Sequence, residues 1–326
     1  MLCESKKHII LIKIPVGTIG GRQAVRVKDS ILIFYKGLVV IPKLVDVRLR
    51  YHLKIMTVYQ TVRYIEKTNC SVARFGDGEF TLAFFEHGIR FQESSKELTE
   101  ALISVLTCRN PKLLVCVPGC MNSTWYCNFY AKRFWLGWVK NNLHQQTAIK
   151  LREYAGNKYV FGDTQITRPY IDWKNSIRAK KLFPMLKKIW DNKRILIVEG
   201  RKSRLGVGND LFENALNIRR ILCPEENAFR SREKIIDAVI HHYTGELILI
   251  ALGPTATVLA LDFCNLGMQA MDVGHIDIEY MWYLTGAKER VAISGKYTNE
   301  AAGNKERIIP ECTDQNYLNQ IIAEVN

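Results

Sequence analysis

The sequence predicts an α/β protein with a mostly parallel sheet and helices on both of its faces. Short apolar runs alternate with stretches of helical periodicity from about residue 53 to residue 273, and the connections between them are short. The composition, 48% hydrophobic and 24% charged over 326 residues, is that of a chain able to bury a large core.

Residues 1–52 read differently from the rest. β-branched runs at 9–14, 31–35 and 38–41 are separated by turns containing Gly and Lys, which suggests a small sheet-like or surface-docked extension. Residues 53–300 then form the main domain. Helical periodicity places helices at 55–67, 79–87 and 96–107, an aromatic-rich helix from residue 123, and further helices at 174–190, 231–243 and 255–266. Apolar runs place strands at 71–74, 113–117, 158–161, 194–198, 218–222, 247–252 and 269–273, the last being the final strand expected. Residues 301–326 are polar and are expected to form an irregular tail.

The chain carries 46 Lys and Arg against 32 Asp and Glu, a net +14, which calls for an anionic partner: nucleic acid, acidic lipid or a diphosphate. The positive residues are spread along the chain, with no zinc-finger, recognition-helix or RRM signature, so a nucleic-acid partner is not expected. Nine cysteines without a CxxC pair argue against a disulfide framework or a zinc site and for buried thiols in a reducing compartment. The start of the chain makes a poor signal peptide, since Lys13 interrupts its apolar run. The greasy segment 31–42 is too short to span a bilayer and is divided by Lys36. A cytoplasmic protein is expected, with peripheral contact at the inner membrane face through its basic surface.

In parallel sheets ligands bind beyond the carboxyl ends of the strands, so four strand-to-helix loops are the places to look for chemistry. In the first, Arg74-Phe-Gly76-Asp77-Gly78-Glu79, two carboxylates in one turn can converge on a hard divalent cation; the same residues also suit a helix N-cap and first turn. The second, residues 199–210, offers three cations and a G-x-G (Gly206, Gly208) beside Asn209, a set that fits a diphosphate or equally a solvated basic turn. The third, Gly253-Pro254-Thr255, either holds an anion on free N–H groups or simply starts a helix. The fourth packs Asp272, His275, Asp277 and Glu279 into eight residues at the same rim. Tyr126, Tyr130, Phe134 and Trp138 recur every four residues as a core stripe, and their aromatic neighbours could stack on a sugar ring.

The strings SVARFGDGEF (71–80), SRLGVGNDLF (203–212), ALGPTA (251–256) and DVGHIDIEYMWY (272–283), in this order, resemble the bacterial glycosyltransferases of the GT-D fold, over about residues 53–300. The resemblance implies a Rossmann-like enzyme that takes a sugar, typically glucose, from a UDP-sugar, with Mn²⁺ or Mg²⁺ held by a D-x-E motif that Asp77 and Glu79 occupy. Similar enzymes build glycans on adhesins or other surface polysaccharides, so glycan, glycoprotein and glycolipid are the acceptor classes implied. With that mechanism Arg74, Gly76, Arg204, Gly206, Gly208, Asn209, Gly253, Pro254 and Thr255 would cradle the donor, with Asp272 beside them. His275, Asp277 or Glu279 would act as the base for the acceptor hydroxyl, and Asp272 is a further candidate. The rival reading is a metal-dependent phosphohydrolase using the same acids and cation.

Overall fold

Successive residues of the central strands serve opposite faces of one sheet, as the two-residue period of a strand requires. In β2 (Ser71–Arg74) Val72 packs into one apolar cluster and Ala73 into another; in β3 (Leu113–Val117) Leu114 and Cys116 face the first side, Leu113, Val115 and Val117 the second. The computed structural model describes Lys43, Val45, Leu49, Arg50, residues 52–298, Ala301 and residues 309–326. Most of the N-terminal extension and its segment 31–42 lie outside the described residues.

The remaining strands are β1 (Lys54–Ile55), β4 (Val160–Asp163), β5 (Arg194–Gly200), β6 (Asn217–Cys223), β7 (Leu247–Ala251), β8 (Ala270–Asp272) and β9 (Ile321–Glu324). They join in the order β1-β4-β3-β2-β8-β7-β5-β6-β9, with every neighbouring pair parallel. The helices are α1 (Val58–Thr68), α2 (Asp77–Phe85), α3 (Lys96–Thr107), α4 (Phe129–Lys140), α5 (Leu143–Ala155), α6 (Ile177–Lys187), α7 (Arg232–His242), α8 (Pro254–Asn265), α9 (Ile276–Leu284) and α10 (Gln315–Gln320). The α/β class and the parallel sheet read from the sequence are therefore present, and β2, β3 and α3 have the expected bounds.

Several elements depart from expectation, among them β1 and α5, which no expected element covers, and β4 and α6, whose bounds differ by two or three residues. The aromatic helix starts at Phe129 because the Asn128 side chain accepts the Ala131 N–H at 2.9 Å, and residues 125–128 are instead drawn against residues 171–174. The fourth rim loop is short: residues 276–284 are helical, and six of the nine are buried, so no polar face marks the element in the sequence. The tail is not irregular, since α10 and β9 lie in it and β9 extends the sheet beside β6. Eight cysteines are described, all free and six of them buried, with the Cys120 and Cys127 sulfurs 3.2 Å apart. Among the described residues no helix is long and apolar enough to cross a membrane.

The connections position the site. After β2 the chain turns into α2, which packs through Phe80 and Leu82 on one face; after the adjacent β8 it turns into α9, which packs through Ile276, Tyr280 and Trp282 on the other. Two neighbouring strands whose chains leave to opposite faces open a crevice between their carboxyl ends, where ligands bind in doubly wound sheets. β2 and β8 are in register at Val72 and Met271 alone, whereas β5 and β6 pair at seven positions from Arg194 with Asn217 to Gly200 with Cys223.

Candidate active site

The crevice opens into a cavity of about 770 Å³, a volume typical of small-molecule sites. Its centre is the end of β2. Arg74 donates from Nε to the Asp272 carbonyl at 2.9 Å, from a terminal nitrogen to Asp272 Oδ1 at 2.8 Å, and to the Thr167 hydroxyl. It thereby ties β2 to β8 and to the segment after β4. Asp272 is buried and also accepts from Thr257 Oγ1 and the Gly274 N–H, each at 3.1 Å. Burial pushes its carboxyl up, while Arg74 opposes that shift.

Gly76, not Asp77, is the N-cap of α2. Asp77 is the first helical residue, exposed on the cavity wall, and Glu79 reaches back so that its Oε2 accepts the Gly76 N–H at 2.7 Å. This is the reciprocal half of a capping box, which accounts for a Glu at the third helical position. Glu79 also lines the cavity. Burial of its carboxyl, and next the charge of Asp272, push it up to about 7.

Gly274 and His275 form the opposite lip. At φ +45°, a Cβ on Gly274 would be built into the Arg74 guanidinium. Gly274→Ala is therefore expected to cost about 1–3 kcal/mol, read as a lowered urea midpoint, as Arg74 is pushed from Asp272. Gly253, at φ +55° and beneath Phe91, completes this part of the wall; Pro254 and Thr255 stand behind it and do not reach the cavity.

Several residues expected at the site are placed elsewhere. Arg204 is buried, donating to the carbonyls of Gly295 at 2.8 Å and Pro310 at 2.7 Å, so it braces the C-terminal segments. Gly206, Gly208 and Asn209 do not line the cavity. The Gly206 N–H and the Asn209 amide both donate to Asp277 Oδ1, at 2.8 and 2.7 Å, and Lys296 Nζ meets Oδ2 at 2.6 Å. Asp277 touches the cavity, but both of its oxygens are engaged in this buried cluster. Glu279 is fully buried away from the cavity. Its Oε2 accepts the N–H groups of Tyr170 and Ile171, each at 2.9 Å, while Oε1 has no hydrogen-bond partner and lies 4.0 Å from Arg168. Burial raises its carboxyl, and its place is that of a positioning residue for the segment after β4.

That segment brings residues the sequence did not single out. Asp172 holds two cavity arginines, Arg168 at 3.1 Å and Arg290 at 2.6 Å, and Arg90 and Lys288 add further positive charge to the walls. They come from loops without a motif; the four-residue spacing of Arg168 and Asp172 is the one signal available. Tyr130, Phe134 and Trp135 of α4 form an aromatic wall on the side of β3 and β4. The aromatic stripe is thus split, with Trp138 buried, Tyr126 partly buried and Tyr130 and Phe134 exposed.

Comparison with known proteins agrees with this architecture. A family model described as the glycosyltransferase GT-D fold matches residues 72–301. Over 274 residues, 84% of the chain, it is 37% identical to glycosyltransferase GlyD of Streptococcus pneumoniae serotype 4 and 37% identical to a probable glycosyl transferase Gly of Streptococcus gordonii. The match covers 33% and 39% of those proteins, so the chain spans little more than a third of their length. A solved domain of unknown function 1792, described as having a distinct glycosyltransferase fold, superposes with a TM-score of 0.80 at 35% identity, covering 88% of this chain and all of that one. A glycosyltransferase of the same domain type from Streptococcus sanguinis gives 0.77 at 36% identity, over 84% of this chain and all of its own. The crevice, the sheet and these matches together show that the chain belongs to the GT-D-fold glycosyltransferase family.

Proposed function

We propose that the protein transfers a sugar, with glucose as the first candidate, from a UDP-sugar to a hydroxyl of a surface glycan or glycoprotein, with Mn²⁺ or Mg²⁺ at Asp77 and Glu79. The observation that carries this is the position of those two carboxylates on the wall of the crevice cavity, between the loops leaving β2 and β8. The donor set fits such an ion. Both are hard oxygen ligands, and the charge of Asp272, which together with burial raises the Glu79 carboxyl, is one that a cation would relieve. An ion held by one or two carboxylates keeps positions for substrate phosphates, as Mg²⁺ sites for nucleotides do. When bound, it would neutralise charge developing on the departing diphosphate.

The chain's own residues supply the rest. Arg74, fixed by Asp272, and Arg90 present positive charge to the diphosphate, and Gly253 and Gly274 let the donor approach the backbone. His275 is the base proposed for the acceptor hydroxyl, because it lines the cavity on the lip opposite Asp77, whereas Glu279 lies away from the cavity and Asp277 is paired with Lys296. The aromatic wall of Tyr130 and Phe134 supports an acceptor sugar beside the carboxylates, which favours transfer over the hydrolysis of a phosphohydrolase. The free and mostly buried thiols among the described residues support a reaction in the cytoplasm, and the net +14 supports contact with an acidic membrane surface.

The test is release of UDP from a panel of UDP-sugars with a glycan acceptor. Release is expected to stop in EDTA and to return with Mn²⁺ or Mg²⁺. Full turnover in chelator would remove the ion from the mechanism, and phosphate release without sugar transfer would favour the phosphohydrolase.

A further inference from the structure

A second concavity, of about 320 Å³, lies on the flank of the cavity. Its walls are aromatic and cationic. Tyr126 and Trp173 stack with ring centres 4.7 Å apart and planes 18° from parallel, and the Arg178 guanidinium lies 3.5 Å above the Trp173 ring. Trp125, 78% exposed, forms the rim, with Lys174 Nζ 4.7 Å from its ring centre. Lys181, one turn along α6 from Ile177, supplies a third cation. Among the described residues no carboxylate lines the concavity, although the Arg178 charge also acts on the buried Asp163.

The concavity adjoins the reaction cavity along one pair of segments. Residues 125–128 run antiparallel to residues 171–174 through the Cys127 and Trp173 bridge, with the Asn128 N–H donating to the Asp172 carbonyl at 2.8 Å and the Lys174 N–H to the Tyr126 carbonyl at 3.1 Å. Asn128 and Asp172 line the cavity, whereas Trp125, Tyr126, Trp173 and Lys174 line the concavity, so one pair of segments serves both. The Trp173 indole N–H also donates to the carbonyl of Arg168, a cavity residue, at 2.6 Å.

We infer that this concavity is a distal acceptor subsite that binds a sugar residue carrying a negative charge, with the acceptor chain running from it past Asn128 to the aromatic wall of the cavity. The inference rests on the glycosyl-transfer reading. An exposed indole face suits the apolar face of a sugar ring, the N–H groups of Arg178 and the Asn175 amide suit its hydroxyls, and three cations that face no acid among the described residues select an anionic substituent. A flat lipid headgroup layer would use the exposed rim but not the recessed Trp173 and Arg178.

Binding is measured on the full chain by titration calorimetry and by quenching of tryptophan fluorescence, with hyaluronan hexasaccharide as the acidic probe and maltohexaose as the neutral one. The acidic probe is expected to bind about tenfold more tightly. Trp125→Ala and Lys181→Gln, both at exposed positions, are each expected to weaken it about fivefold or more, and Trp125→Phe to restore binding. Equal binding of the two hexasaccharides, no binding of the acidic one, or binding indifferent to these substitutions would overturn the inference. So would tighter binding of phosphatidylglycerol vesicles or of an oligothymidylate that depended on the same residues. UDP release from donor to water by the unmodified protein is followed in parallel. It reports on the transfer reading alone, so failure of one is distinguishable from failure of the other.

Discussion

Glu79→Gln is expected to leave a folded protein whose transfer rate falls about 10²–10³-fold, the scale on which enzymes lose rate when a group that stabilises a leaving charge is removed. The choice of Gln separates the two roles of this side chain. A Gln carbonyl can still accept the Gly76 N–H that Glu79 accepts at 2.7 Å, so the capping interaction survives while the charge offered to a cation does not. Asp77→Asn, at an exposed first-turn position, should behave the same way. The measurement is UDP release against Mn²⁺ concentration, with the folded fraction fixed by circular dichroism. If both carboxylates served only the helix start, turnover per folded molecule would stay at the level of the unmodified protein.

Asp277→Ala should act through stability instead. Removing the carboxylate leaves Lys296, 4% exposed, as a buried ammonium without its partner at 2.6 Å, and deprives the Gly206 N–H and the Asn209 amide of their acceptor. Breaking a buried pair in this way costs about 3–5 kcal/mol, a large part of the stability of an ordinary domain. Urea denaturation should show the loss directly. A variant with unchanged stability and abolished transfer would return Asp277 to the role of base.

These two expectations mark where the sequence was legible. Strands buried on both faces, such as residues 113–117, announce themselves as unbroken apolar runs, and helical periodicity places α3 at its observed bounds and α2 two residues late, with Asp77 read as the cap that is in fact Gly76. The D-x-E turn was visible for the same reason, since an acid in the first turn of a helix beyond a strand is a local pattern. What was not legible depends on side chains meeting across long separations. Arg204 reads as a phosphate ligand until the Gly295 and Pro310 carbonyls are seen to take its nitrogens, and Asp277 reads as a free acid until Lys296 is seen beside it. The Arg168 and Arg290 pair is assembled by Asp172 from residues more than a hundred apart, and no spacing rule finds that. α9 was hidden by its burial, which removes the polar face that would have revealed a helix.

The short register between β2 and β8 has a mechanical consequence. Within each half neighbouring strands pair at two to seven positions, while the two halves meet through one, reinforced by the Arg74 and Asp272 clasp. At that seam side chains take over from backbone pairing: the Thr257 hydroxyl of α8 donates to the Arg74 carbonyl at 2.8 Å and to Asp272 at 3.1 Å, and Val72 and Met271 share one apolar cluster, so Asp77 and His275, carried on opposite leaves, are held across the crevice by packing rather than by a ladder.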